Sequence, residues 1–203
     1  MNIRGLSPNP HLPKLTEIKH LLTTTNTDIA ALSEINVNWQ RVPAEQKLPD
    51  LLYAIRVVSC YRPNIKQANK SRSVWSQKHV LLDQLGIDTD PRHLFLTDLS
   101  SDVTRWIVAG EQVVVGVDLN EDISSSSIRS TLTRAGLIDI CSRRHGRPPP
   151  TTVEGSCPID GIFVTSTLRH CRCGMLDFQG FTNHRPVWID VPHSLAHPLA
   201  STD

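Results

Sequence analysis

The sequence has no apolar stretch that approaches the roughly 20 residues needed to cross a bilayer, and no signal peptide opens it. Its 21 basic and 20 acidic residues leave a formal net charge of +1, so no whole-molecule positive field would hold nucleic acid. Five cysteines, an odd number without a secretory signal, indicate reduced thiols. These absences predict an intracellular protein, neither secreted nor bound to a membrane, in which any contact with nucleic acid would rest on a local basic patch.

The chain is long enough for one domain with a sizeable core. It has 203 residues, of which 39% are hydrophobic and 20% charged, as in a soluble globular protein. The ordered pattern ends near Val191, and residues 192–203 are predicted to form a flexible tail. The sequence therefore predicts a single domain over residues 1–191, and we expect a monomer.

Helix-like and strand-like segments alternate along the chain. Helical patterns lie at residues 13–23, 73–85 and 98–108, and from the serine run 124–127 to near 136. Strand patterns lie at residues 28–33, 57–60, 112–117, 137–140, 159–165 and 186–191. Residues 143–150 are predicted to be a loop because three prolines end this segment. The alternation is typical of an α/β fold.

Acidic, amide and histidine residues stand at the ends of apolar runs. They occur in residues 2–6, 32–36, 115–120, and 159–162 followed by 183–186. Hydrolysis of a phosphate ester with one hard metal ion requires a carboxylate for the metal, an Asp/Asn pair around the water, and a histidine held by a buried aspartate. The set predicts a metal-dependent phosphodiesterase.

The shared order of these motifs resembles the endonuclease/exonuclease/phosphatase superfamily, most closely the apurinic-type endonuclease domains of non-LTR retrotransposons. The resemblance runs from Asn2 to about Val191 and includes residues 59–63, 135–139 and 149–151. It implies an α/β fold built as a two-layered β-sandwich flanked by helices. It also implies a hydrolase that nicks DNA, so the nucleus becomes a candidate compartment. No nucleotide cofactor is expected.

The resemblance also implies roles for the residues of the first three motifs. Asn2 and Glu34 correspond to the amide and carboxylate beside a divalent ion, normally Mg²⁺, with Mn²⁺ as the alternative. Asp118 corresponds to the acid that orients or deprotonates the attacking water. Asn120, two residues on and expected on the same face, would donate a hydrogen bond to a phosphoryl oxygen.

The resemblance implies that the last motif and residues 61–64 supply the phosphate contacts. His184 would donate a hydrogen bond to the phosphate, held in orientation by Asp160. Tyr61 matches a phosphate-contacting tyrosine of the family. Arg62 and Asn64 are predicted substrate-binding residues, since a guanidinium fork suits phosphate.

Arg143 and Arg144 belong to the densest basic cluster of the chain. In a loop near Asp160 in the sequence they would contact the DNA backbone. A solvated surface loop explains the cluster equally well. Both interpretations stay open at the level of sequence.

The chain departs from the family pattern at three places. Asn183 stands where the family usually has an aspartate immediately before the histidine. The segment of residues 36–55 is too short and too polar for the hairpin that the family usually has there, and the first strand lacks its N-terminal half. One alternative is a catalytically inactive remnant that binds DNA or a protein through the same cleft. Another is an enzyme for a small phosphoester, since the resemblance extends to sister families that share this set of residues.

Overall fold

The computed structural model of the protein describes residues 13–27, 55–65, 73–168 and 172–191. Helices α1 to α5 lie at Pro13–Thr24, Val74–Gln84, Pro91–Val108, Ser126–Arg134 and Ile140–His145. Strands β1 to β6 lie at Ile55–Tyr61, Gln112–Asp118, Leu137–Asp139, Asp160–Thr165, Arg172–Met175 and Val187–Asp190. The predicted strands at residues 2–6 and 28–33, the tail at 192–203 and nearly all of the shortened segment 36–55 lie outside the described residues.

The helices predicted at residues 13–23, at 73–85 and after the serine run are confirmed by α1, α2 and α4. Ser73 caps α2, since its hydroxyl oxygen accepts a hydrogen bond from the N–H of Ser76 at 3.1 Å. Gly86 follows this helix with φ of 66°, a left-handed conformation that glycine adopts without steric cost. Within the described ranges, no helix is both long and apolar enough to span a bilayer.

Helix α3 begins at Pro91, earlier than the start predicted at Asp98. Oδ1 of Asp90 accepts hydrogen bonds from the N–H groups of Arg92 at 2.6 Å and His93 at 3.2 Å. An aspartate cap followed by proline in the first turn is a strong helix start. The predicted start was wrong because it followed the apolar pattern instead of the cap.

Helix α5 occupies part of the loop predicted for residues 143–150. Oδ1 of Asp139 accepts a hydrogen bond from the N–H of Ser142 at 3.0 Å, and the Ser142 hydroxyl donates to Oδ2. Gly146, with φ of 76°, follows the helix, and the prolines come after it. The loop prediction is wrong for residues 143–145, because a proline restricts itself and the residue before it, not a helix that has already ended.

Strands β1, β2, β4 and β3 form a four-stranded sheet in that order. Strand β1 is parallel to β2, whereas β4 is antiparallel to both β2 and β3. Strands β5 and β6 form a second, antiparallel sheet. The strands predicted at residues 57–60, 112–117, 159–165 and 186–191 correspond to β1, β2, β4 and β6, whereas β5 was not predicted.

Two apolar clusters cover opposite faces of the four-stranded sheet. One cluster joins Val115 of β2 to Leu99 of α3 and Leu132 of α4. The other joins Val114 of β2 to Cys173 of β5, with residues of β6 packed against it. Side chains alternate between the faces of a strand, so α3 and α4 cover one face, and the second sheet together with α5 covers the other. The predicted α/β architecture of two sheet layers with outer helices is confirmed.

Candidate active site at the edge of the four-stranded sheet

Three predicted site residues from separate motifs lie in one row across the four-stranded sheet. Tyr61 at the end of β1 pairs with Asp118 at the end of β2, and Asp118 pairs with Asp160 at the start of β4. Parallel β1 and β2 end at the same sheet edge, where antiparallel β4 begins. Paired residues share a face of the sheet. For this row it is the face of Val114 and Ile162, which packs toward the second sheet.

His184 joins this row through a hydrogen bond to Asp160. Nδ1–H of His184 donates to Oδ2 of Asp160 at 2.8 Å, and both residues are buried. The backbone N–H of His184 donates to the hydroxyl oxygen of Thr182 at 3.1 Å. The contact between Asp160 and His184, expected from the sequence at roughly 3 Å, is therefore present. It fixes the imidazole ring and turns its other nitrogen, Nε2, away from Asp160.

Thr151 supports this pair and was not predicted as a site residue. It is 0% exposed, and its hydroxyl oxygen accepts hydrogen bonds from the N–H groups of Ile159 at 2.9 Å and Asp160 at 3.1 Å. Its carbonyl oxygen accepts the N–H of Arg185 at 2.8 Å. Thr151 thus connects the segment before β4 to the segment that carries His184. Thr151 follows three prolines, and residues 149–151 belong to the family resemblance, but the sequence did not indicate this role.

Asn120 lies beyond the end of β2 and does not follow the strand alternation that the sequence predicted. Its φ of 50° is left-handed, which asparagine tolerates better than most residues. Its N–H donates to Oδ1 of Asp118 at 2.9 Å, and its Nδ2 donates to the carbonyl oxygen of Arg62 at 2.7 Å. The turn, not the strand pleat, brings Asn120 to Asp118. The phosphoryl contact stays a prediction.

Arg62 and Asn64 follow Tyr61 directly after β1. The Arg62 guanidinium is buried: Nη1 donates to Oε2 of Glu121 at 2.7 Å and Nε donates to the carbonyl oxygen of Arg92 at 3.2 Å. Burial lowers the pKa of Arg62, and its hydrogen bond to Glu121 opposes that shift. Asn64 is half-buried. The direct phosphate contacts predicted for both residues stay predictions.

The sequence model of the Endonuclease/Exonuclease/phosphatase family matches residues 1–188. The chain belongs to this family. No curated protein sequence matches it. Family membership points to metal-dependent hydrolysis of phosphodiesters, in agreement with the row of acidic residues and the Asp160–His184 pair.

Among the described residues, Asp118, Asp160 and His184 form a cluster of potential metal ligands. One potential ligand atom from each residue lies within 4.8 Å of the other two, and all three residues are buried. Two carboxylate charges no more than 4.8 Å apart repel by at least about 3 kcal/mol at an effective dielectric constant near 20. A nearby cation relieves this repulsion, and hard cations prefer oxygen ligands. The residues present therefore fit a divalent metal ion, with Asp118 as the carboxylate not bonded to His184.

The other predicted residues are placed as follows. Arg143 and Arg144 are exposed on α5, whose N-cap, Asp139, pairs with Phe163 of β4. Asn183 is half-buried, and its carbonyl oxygen accepts the N–H of Val153 at 3.0 Å. The predicted metal ligands Asn2 and Glu34 lie outside the described residues.

Proposed function

We propose that this protein hydrolyses phosphodiester bonds of DNA in a reaction that depends on Mg²⁺, and that it derives from the endonuclease of a retroelement. The observation that carries the proposal is the buried His184–Asp160 hydrogen bond beside Asp118 at one edge of the sheet. A histidine oriented by a carboxylate, next to a second carboxylate, is the group arrangement needed to activate water and stabilise phosphoryl charge. Mn²⁺ is the alternative cation.

In this proposal the catalytic residues have the following tasks. Asp118 orients the attacking water and accepts its proton. His184 donates from Nε2–H to a phosphoryl oxygen, which requires both ring nitrogens protonated, and the Asp160 carboxylate balances the positive charge. Asn120 and Tyr61 donate to the phosphate. The negative charge of the transition state exceeds that of the substrate, so these donors contribute more there than in the ground state.

The remaining predicted residues bind the metal or the substrate in this proposal. Asn2, Glu34 and Asp118 would hold the cation, which supplies Lewis-acid stabilisation of the phosphoryl oxygens. Asn64, together with the arginines of α5, Arg143 and Arg144, would bind the DNA backbone. Contacts to phosphates would position the duplex without reading its sequence.

The first test is nicking of a supercoiled plasmid by the purified chain. We expect nicked circles with Mg²⁺ or Mn²⁺ and none after chelation with EDTA. The His184→Ala variant should nick about 10²- to 10³-fold more slowly, the usual cost of removing one donor to a developing negative charge. Nicking that persists in EDTA or survives His184→Ala would refute the proposal, and so would the absence of nicking by both the parent chain and Asn183→Asp.

The identity of Asn183 favours a second candidate function, binding without catalysis. An amide in place of the family's aspartate removes one negative charge beside the buried cluster while keeping the side-chain size. Hydrolysis of a small phosphoester, the third candidate, would appear as turnover of bis(p-nitrophenyl) phosphate without plasmid nicking.

Changing Asn183 to Asp is expected to raise the nicking rate and the Mg²⁺ affinity by about ten- to a hundredfold, since a charge in a partly dry cleft contributes about 1 to 3 kcal/mol. The backbone carbonyl oxygen of residue 183, which accepts the N–H of Val153, is not altered by the substitution, so the backbone should stay in place. Plasmid nicking and Mg²⁺ titration measure the two effects. Adding His184→Ala should abolish the gain in rate. Unchanged rate and affinity in Asn183→Asp would exclude position 183 from the metal network.

A further inference from the structure

Two buried arginines share one carboxylate beside the candidate site. Nη1 of Arg62 and Nη2 of Arg92 each donate to Oε2 of Glu121 at 2.7 Å. Both arginine side chains are less than 10% exposed, whereas the Glu121 side chain is 38% exposed. Burial opposes ionisation of Glu121, but the hydrogen bonds and charges of the two arginines outweigh it and lower the pKa of the carboxyl. The carboxylate is therefore held charged between the two cations.

One further nitrogen of each arginine donates a hydrogen bond to a backbone carbonyl oxygen. Nη1 of Arg92 donates to the carbonyl oxygen of Pro63 at 2.7 Å, and Nε of Arg62 donates to the carbonyl oxygen of Arg92 at 3.2 Å. The cluster consequently connects three segments: the turn after β1, the turn after β2 and the first turn of α3. We call Arg62, Arg92 and Glu121 the clamp.

The clamp is connected to the candidate site through the backbone of Arg62. The N–H of Arg62 donates to the carbonyl oxygen of Asp118 at 2.8 Å, and the carbonyl oxygen of Arg62 accepts Nδ2 of Asn120 at 2.7 Å. Asn120 adopts its left-handed conformation in the same turn as Glu121. Any movement of the clamp would therefore change where Asp118 and Asn120 lie relative to each other.

Stability alone is a weak reason for such a cluster. Desolvation of buried charges offsets most of their mutual attraction, and apolar replacements of similar volume often leave stability unchanged or higher. What directional hydrogen bonds provide in addition is a fixed geometry, and a catalytic site requires its groups held to within a fraction of an ångström.

We propose that Glu121 and Arg92 are positioning residues that hold the Asp118–Asn120 turn in its reactive geometry, and that Arg62 acts through this clamp and not by direct contact with phosphate. The inference rests on the proposed function. Neither Glu121 nor Arg92 is expected to touch the substrate, so their substitution should act on the turnover number more than on KM.

The test variant is Glu121→Gln, and the matched control is Glu111→Gln. Glu111 also pairs with an arginine, Arg56, through two hydrogen bonds, but it precedes β2 and so lies at the other end of the same two strands. Each variant is measured by plasmid nicking at saturating and limiting DNA, and by amide hydrogen exchange at Arg62 and Asn120. The two amides report directly on the bonds to Asp118.

In Glu121→Gln we expect kcat to fall about ten- to a hundredfold with KM unchanged, and exchange at the Arg62 and Asn120 amides to rise about tenfold or more while exchange in α4 stays slow. In Glu111→Gln both quantities should match the parent. If Glu121→Gln does not fold, Arg92→Lys replaces it, since it keeps the charge but cannot reach Pro63 and Glu121 together. For Arg92→Lys we expect a smaller fall in kcat and a smaller rise in exchange at the same two amides.

Unchanged exchange at the two amides, or a uniform rise across the whole chain, would overturn the inference. A fall in kcat of equal size in Glu111→Gln would do the same. Should the parent nick no DNA, the proposed function fails, and the exchange measurement alone then decides whether the clamp holds the turn.

Discussion

Changing Asp118 to Asn is expected to lower the nicking rate by about 10²- to 10⁴-fold, the range for loss of a general base. An amide has the size of the carboxylate but cannot accept the proton of the attacking water. It also removes the charge at the centre of the row formed with Tyr61 and Asp160. Single-turnover nicking at saturating Mg²⁺ measures the chemical step, and the Asn183→Asp background gives the larger signal.

The matched control for this substitution is Asp139→Asn. Asp139 is also a buried aspartate at the end of a strand of the same sheet, but its carboxylate caps α5 through Ser142. Asparagine is itself a good helix cap, so this variant should keep both the fold and the nicking rate. Equal rates for Asp118→Asn and the parent would remove Asp118 from the reaction.

Changing Phe163 to Ala is expected to lower the free energy of unfolding by about 3 to 5 kcal/mol, the usual cost of deleting a buried aromatic ring. Phe163 is 2% exposed and belongs to the cluster between the four-stranded sheet and helices α3 and α4. Its ring packs over Gly161, where a Cβ would lie 3.1 Å from Cε2 of the ring. Since domains of this kind are stable by about 5 to 15 kcal/mol, the substitution should remove a large part of the stability. Urea denaturation followed by circular dichroism measures the change.

The control for Phe163→Ala is a substitution at an exposed position. Val108 at the end of α3 is 82% exposed, so Val108→Ala removes apolar volume without opening a cavity. Its effect should stay within about 0.5 kcal/mol. A loss below about 1 kcal/mol for Phe163→Ala would mean that the cluster rearranges to fill the space, contrary to the close packing expected of a core.

Local chemistry explains why several elements could be predicted from the sequence. Ser73 as a cap and Gly86 beyond the helix bound α2, because capping and left-handed φ depend on residues within one turn. The β-branched run of β2 and the acid that ends it were equally local signals. The pairing of Asp160 with His184 was expected from the family resemblance, and it agrees with the cost of burying a carboxylate without a partner.

Other features depend on contacts between distant segments. The buried positions of Arg62 and Arg92 are an example, since the two residues are 30 positions apart in the sequence. The sequence context of Arg62 indicated phosphate binding. In the structure the Arg62 guanidinium instead donates a hydrogen bond to Glu121, 59 residues later. The periodicity of the sequence does not indicate that Arg62 pairs with Glu121.

By itself the sequence determined the family, the alternation of helices and strands, and the identities of the acids and the histidine at the strand ends. It did so because apolar periodicity, caps and residue chemistry act over a few residues. Only the tertiary structure decided the register that aligns Tyr61, Asp118 and Asp160, the left-handed turn at Asn120 and the clamp around Glu121. The register, the turn and the clamp follow from strand pairing and from the burial of charged side chains. Both depend on contacts between segments that are distant in the sequence.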